Sequence, residues 1–318
     1  MNAPISIHRY SLVSRSALNS RSERVEHHGA LIRVGEEGYG YGCIHPWPEL
    51  GDLELEQTLK CLMRGETTPL IRQALHCAQH DAEARRAGVS LFEGVEVPVS
   101  HATVKLDVES FSEAKAAGFT TVKIKPGKDL TAESERIRSL AGAFPGFRWR
   151  LDFNHTRSLA EVEDFLQCLG DEIRPKIDFM EDAWGEGEKP EGCLLGVPLA
   201  VDRGVDTNVG GFPVVVVKPA RDDVDSILQR ADSDGTKVMI TSYMDHPLGQ
   251  SYAAWQAGVA KRKYPSVVDT CGLVTHGLFE PDAFIECLGK PSPRFKPASG
   301  TGLGFDDLLE ELEWTPLA

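Results

Sequence analysis

The chain has 318 residues, 41% apolar and 26% charged, enough for one large domain with a smaller one beside it. Its formal net charge of −14 argues against nucleic acid or an anionic membrane as a partner, while leaving room for an anionic small molecule at a locally positive site. No apolar run approaches the about 18 residues of a membrane span and the start lacks the basic-then-apolar pattern of a secretory leader. The seven scattered cysteines include no Cys-x-x-Cys pair, so reduced thiols and a cytoplasmic location are expected.

Residues 4–12 and 28–34 read as strands, and the turn chemistry from Gly35 to Gly42 predicts a hairpin. Between the strands, Ser14 to Glu26 is polar and aperiodic, which suggests a mobile loop. Residues 52–64 and 67–88 have helical composition, with Leu53, Leu55, Leu59 and Leu62 spaced as an apolar stripe. The first 96 residues thus form an α+β unit.

From residue 97 to 291 strands and helices alternate. Ser110 to Glu113 and Ser158 to Glu161 both have capping-box spacing and predict helix starts. Further helices are expected at 131–142, 222–234 and 247–262, and strands near 98–104, 237–242 and 266–271. The interval from Asp202 to Lys218 is Gly-rich and polar before its strand, which leaves no regular fifth helix. Residues 292–318, rich in Pro and Gly and then acidic, are expected to leave the second unit and pack back on the first.

The chemistry gathers where the apolar runs end. Thr121-Val122-Lys123-Ile124-Lys125 places two lysines two apart, hence on one face of a strand that Pro126-Gly127 terminates. Arg150, Asp152 and Asn154 share a face of the next run. Glu181 ends Ile177-Asp178-Phe179-Met180, Asp202 ends Val197 to Val201, and Lys218 ends Val214 to Val217. Ionisable groups at the carboxyl ends of successive buried strands are the layout of a (β/α)8 barrel site. Three carboxylates at one mouth repel unless a cation lies among them, and all-oxygen donors suit Mg2+, with Mn2+ able to substitute. Asn154 is placed to orient Asp152 from behind. Lys125, close to the cation and to Lys123, is expected to have a pKa lowered by neighbouring positive charge and so to serve as a base, with Lys218 facing it.

On these residues the chain resembles the enolase superfamily, muconate-lactonising subgroup. The likeness extends to Arg150-Leu151-Asp152-x-Asn154, Val216-x-Lys218-Pro219, Ile240-Thr241-Ser242, Gly300-Thr301-Gly302-Leu303-Gly304, and Gly40-Tyr41-Gly42 followed by Pro46-Trp47-Pro48. It implies an α/β fold, a modified (β/α)8 barrel with an N-terminal α+β capping domain that the C-terminal segment completes. It implies Mg2+ on Asp152, Glu181 and Asp202, Lys125 as general base and acid, and Lys218 as an electrostatic partner. Lys123, Arg150, Thr241 and Ser242 would meet a small-molecule carboxylate substrate. The branch it resembles dehydrates a hydroxycyclohexadiene carboxylate to an aromatic acid. Two features depart from the family: Asp182-Ala183-Trp184 stands where Glu-Pro usually follows the second ligand, and Cys43 replaces a frequent Glu.

Two rival readings accompany this one. A racemase of N-succinylamino acids would use Lys125 and Lys218 as bases on opposite faces; dipeptide epimerisation is disfavoured because Asp269-Thr270-Cys271-Gly272-Leu273 lacks the Asp-x-Asp that holds a substrate ammonium. A scaffold without activity would have lost a ligand or a lysine, and none is lost. His27, His28, His76, His80, His246 and His276 read as surface or satisfied core histidines. The pattern specifies no oligomeric state.

Overall fold

A computed structural model describes residues 4–18, 22–36, 38–188, 190–202, 204–205 and 211–317. Strands β1 (Ile5–Val13), β2 (Glu26–Val34) and β3 (Gly40–Ile44) form an antiparallel meander. Helices α1 (Leu55–Met63) and α2 (Pro69–Ala87) follow. Close packing of β3 on α2 requires glycine: a Cβ on Gly40 would lie 2.0 Å from Ala78 O, and one on Gly42 would lie 2.2 Å from Ala74 O. The α1 stripe is narrower than its leucine spacing suggests. Leu59 and Leu62 are buried, but Leu53 is 43% exposed because it precedes the Glu54 cap and so belongs to no helical face.

The parallel sheet runs in space through β4 (Ala102–Thr103), β5 (Thr121–Ile124), β6 (Arg148–Asp152), β7 (Ile177–Glu181), β9 (Val197–Val201), β10 (Val214–Val217) and β11 (Lys237–Ile240), with the short β8 (Cys193–Leu194) antiparallel to β9. Helices α3 (Val108–Ala116), α4 (Leu130–Ala143), α5 (Leu159–Leu169), α6 (Val224–Asp234) and α7 (Pro247–Lys263) connect them. The strand expected at 266–271 is not a regular one. Single bridges Val238↔Val268, Thr241↔Gly272 and Ser100↔Cys271 link that segment to both ends of the sheet, which therefore curls around. Phe179, Ala200, Val214, Val216 and Met239 fill its inside, while Val122, Trp149, Leu151 and Phe153 belong to the large core shared with the surrounding helices. Residues 203 and 206–210, within the interval where no regular fifth helix is expected, lie outside the described residues.

Of the two capping boxes, the second forms as expected on Ser158 and Glu161. The first helix instead starts three residues earlier, because Asp107, in extended conformation, accepts the Ser110 N–H at 2.7 Å and caps Val108–Ala116. Beyond α8 (Ala283–Leu288) and α9 (Asp306–Glu311), the chain ends in β12 (Thr315–Pro316), which pairs with β1 through Ser6↔Pro316 and Ile7↔Thr315. The glycine-rich turn at 300–304 serves this return. Asp81, fully buried, accepts the backbone N–H groups of Tyr41 (2.9 Å) and Leu303 (2.7 Å) and an Arg85 N–H (2.6 Å). A Cβ on Gly302, at φ +56°, would stand 2.1 Å from that carboxylate. Among the described residues no helix is long and apolar enough to cross a membrane.

Candidate active site

The parallel register sets the site. Asp152 and Glu181, the last residues of β6 and β7, are direct register partners and are 4% and 2% exposed. Asp202 and Lys218 follow the ends of β9 and β10, and Lys123 and Lys125 come from the end of β5. Lys123 Nζ lies 2.9 Å from Asp152 Oδ2 and donates to Glu181 Oε2 at 2.7 Å. Lys125 Nζ is 3.8 Å from Asp152 Oδ2 and donates to the carbonyl of Leu18 at 2.7 Å. Lys218 Nζ donates to the Asp202 carboxylate and lies 5.8 Å from the centre of the Tyr243 ring. Asn154 donates its side-chain amide to Asp152 Oδ1 at 2.7 Å. The turns that carry these groups are tight: Asn154 (φ 50°), His155 (φ 57°) and Asp182 (φ 48°) are left-handed, a conformation most tolerable for Asn and Asp.

The charges perturb one another. Burial, then the charges of Asp152 and Asp202, pushes Glu181 up to about 7, with the lysines opposing. Burial also opposes ionisation of Asp152, but the ammonium groups of Lys123 and Lys125 outweigh it and hold its pKa below the usual range. For Lys123, burial is outweighed by Asp152 and Glu181, so its pKa is raised. The pKa of Lys125 is lowered, and here the cause differs from expectation: desolvation is the largest effect, with the Lys123 charge a smaller one.

Arg150 and Ser242 do not join this group and have partners of their own within the protein. Arg150 is 3% exposed, lies over the Phe179 ring at 4.7 Å, and donates to Thr270 O (2.9 Å) and Asp178 Oδ2 (3.4 Å). A guanidinium only donates, so His101 Nδ1, 3.0 Å away, accepts from it, which leaves the histidine proton on Nε2. Ser242 is 2% exposed and shares a 2.6 Å hydrogen bond with Thr275 Oγ1. Thr241 spends its hydroxyl proton on Gly272 O at 2.8 Å. Spacing along a strand shows which face a residue takes; it does not show that a partner across the barrel already holds it.

Asp182 stands out in the sequence only as a departure from the family pattern, and His155 and His101 do not stand out at all. Asp182 accepts the Asp202 backbone N–H at 3.0 Å and lies 3.3 Å from His155 Nε2. The available signal was two successive acids at the end of a buried strand, since two buried carboxylates cannot share one direction without separate partners.

As placed, no three His, Cys, Asp or Glu side chains among the described residues enclose a metal position. The ammonium groups of Lys123 and Lys218 stand against the three carboxylates instead. The residues nonetheless fit a hard divalent cation: the donors are all carboxylate oxygens, and Glu181 is pushed up by burial and then by the negative charges beside it, a field that such an ion relieves.

A family model described as "O-succinylbenzoate synthase, N-terminal domain" matches residues 5–84. The chain is 35% identical to the o-succinylbenzoate synthase of Bdellovibrio bacteriovorus, with 98% of each chain covered. Among solved structures it resembles a dipeptide epimerase from Enterococcus faecalis complexed with Mg and the dipeptide L-Leu-L-Tyr (TM-score 0.79, 17% identity, 96% of this chain and 99% of that one). It also resembles an N-succinyl Arg/Lys racemase from Bacillus cereus (TM-score 0.76, 16% identity, 99% and 100%). The class so defined is one of fold, a capping sheet on a curled parallel sheet, shared with both of these structures. Within that class, the chain belongs to the o-succinylbenzoate synthase family. Membership makes it an enzyme of the lyase class.

Proposed function

We propose that the chain dehydrates 2-succinyl-6-hydroxy-2,4-cyclohexadiene-1-carboxylate to 2-succinylbenzoate in menaquinone biosynthesis, with Mg2+ held by Asp152, Glu181 and Asp202. The observation that carries this reading is the 35% identity, over 98% of both chains, to an o-succinylbenzoate synthase, in a site where Lys125 lies beside Asp152 and Lys218 on Asp202. When bound, Mg2+ would supply electrostatic stabilisation of the negative charge that gathers on the substrate carboxylate. Lys125, neutral more readily than an exposed lysine, takes the proton alpha to that carboxylate. The C–O bond to the ring hydroxyl then breaks, and the Lys125 ammonium returns the proton so that water leaves and the ring becomes aromatic. Lys218 stays charged and faces the developing enediolate, and Lys123 helps hold the carboxylate. The only partner this reading requires is the small-molecule carboxylate; neither nucleic acid nor membrane has a role.

The second reading, racemisation of an N-succinylamino acid with Lys125 and Lys218 as two bases, has one observation in its favour. The same opposed lysines could serve it, on a fold shared with the B. cereus racemase. Assaying the purified protein with Mg2+ on the cyclohexadiene substrate and on N-succinylamino acids tests both. Turnover of the first at a kcat/KM far above the second is expected. Racemisation without dehydration would replace the first reading by the second.

A further inference from the structure

Two acids end the β7 segment in succession, and the backbone sends them to different places. Glu181 meets Lys123 at the mouth, whereas Asp182, at φ 48°, turns aside and is buried at 2% exposure. Its Oδ1 accepts the backbone N–H of Asp202 at 3.0 Å. That N–H lies just beyond β9, whose ladder to β10 runs only to the Val201↔Val215 pair, so no strand partner is available for it. The other oxygen, Oδ2, lies 3.3 Å from His155 Nε2. His155 is itself fixed: its backbone N–H donates to Asp182 O at 2.9 Å, and its Nδ1 donates to Trp184 O at 3.1 Å, since a carbonyl can only accept, so Nε2 meets the Asp182 carboxyl group through a proton carried by one partner or the other. Its ring meets Trp184 edge-on at 5.0 Å, and Trp184 stacks on Phe212 at 5.1 Å.

We infer that Asp182, steered by His155, is a positioning residue that sets the direction of the Asp202 carboxylate and with it the seat of Lys218. Holding the Asp202 peptide plane restrains where its Cα–Cβ bond points, which the β9 ladder, ending one residue earlier, does not. This rests on the reading of Asp202 as a Mg2+ ligand. It adds to that reading two residues which touch neither the substrate nor the ion.

Direct titration of Mg2+ into the substrate-free protein by calorimetry tests it, with the thermal midpoint of each metal-free protein recorded to establish folding. Asp182→Ala removes the acceptor and is expected to weaken Mg2+ binding about ten- to a hundredfold, the usual cost of losing a partner behind a metal ligand. Asp182→Asn keeps an oxygen for the Asp202 N–H and is expected to restore most of the affinity. His155→Ala leaves Asp182 unsteered and should fall between Asp182→Ala and wild type. A folded Asp182→Ala protein with wild-type Mg2+ affinity overturns the inference. So does an Asp182→Asn protein as weak as Asp182→Ala, since charge and not the acceptor would then be the cause. If Asp182→Ala does not fold, His155→Ala decides, and wild-type affinity there overturns the inference. A wild-type protein that binds no Mg2+ overturns the metal reading itself, an outcome visible before any variant is made.

Discussion

The ammonium of Lys125 donates a 2.7 Å hydrogen bond to the carbonyl oxygen of Leu18, tying the proposed base of the barrel to the segment that follows the first strand of the cap. Leu18 is itself buried, in a cluster with Leu12, Trp47, Leu70, Tyr243, Phe279 and Ile285. The segment from Ser14 to Glu26, of which residues 19–21 lie outside the described residues, therefore reaches the mouth at Leu18. We expect it to be held over bound product and to keep water from the enediolate. Limited proteolysis within 14–26 should slow in the presence of saturating 2-succinylbenzoate; equal rates with and without product would reject the closure.

The two lysines should respond unequally to the same substitution. Lys218→Arg keeps the charge that the synthase reading asks of it and should dehydrate measurably, at some cost from the different shape. Lys125→Arg removes the base and the proton donor together. It forfeits at least the about 10²–10⁴-fold of general base catalysis and should show no turnover. A two-base racemase would need both lysines for inversion, each variant at most exchanging the alpha proton of one enantiomer in deuterated water. Measuring dehydration and exchange on both variants separates the readings, and near-wild-type dehydration by Lys125→Arg would remove Lys125 as the base.

Glu181→Gln should abolish turnover and leave the circular dichroism spectrum and thermal midpoint near wild type, because the amide keeps the volume of a side chain that is 2% exposed. Chelator should inactivate the wild-type enzyme and added Mg2+ should restore it. Full turnover in excess chelator would reject the metal assignment.

Asp245 gives the stability of the fold a pH dependence of its own. It is 1% exposed, its Oδ1 has no hydrogen-bond partner among the described residues, and burial pushes its pKa from an ordinary 3.8 to about 7. Between those values the folded protein keeps a proton that the unfolded chain has released. Stability is therefore full below the unfolded pKa and falls as pH rises through the folded one, by up to about 1.4 kcal/mol per pH unit. Asp245→Asn, which stays neutral, should flatten this slope and be the more stable protein at pH 8 but not at pH 4. Urea denaturation of both proteins across that range checks it; parallel pH profiles would show that Asp245 does not titrate as described.

What could be read in advance was local. A strand's alternation and its end lie within a few residues, so the positions of Lys123, Asp152, Glu181 and Lys218 at strand ends, and the cap at Ser158, follow from the chain itself. The same locality misplaced the start of α3, since Ser110 and Asp107 both have capping chemistry and only the backbone conformation at Asp107 chooses between them. It also counted Leu53 in a stripe that begins after it.

Which groups meet is set by contacts between strands far apart in the chain. Lys123 and Glu181 are 58 positions apart, and no spacing along the chain shows that sheet register brings them to 2.7 Å. The same holds for Arg150, whose face was legible but whose guanidinium is taken up by Asp178 on the neighbouring strand and by Thr270 and His101 from other segments. Asp182 is the sharpest case. That a second acid follows Glu181 at a buried strand end is written in the chain; the left-handed turn there places it on the Asp202 N–H, because a buried acceptor takes whichever donor the fold leaves unpaired within reach.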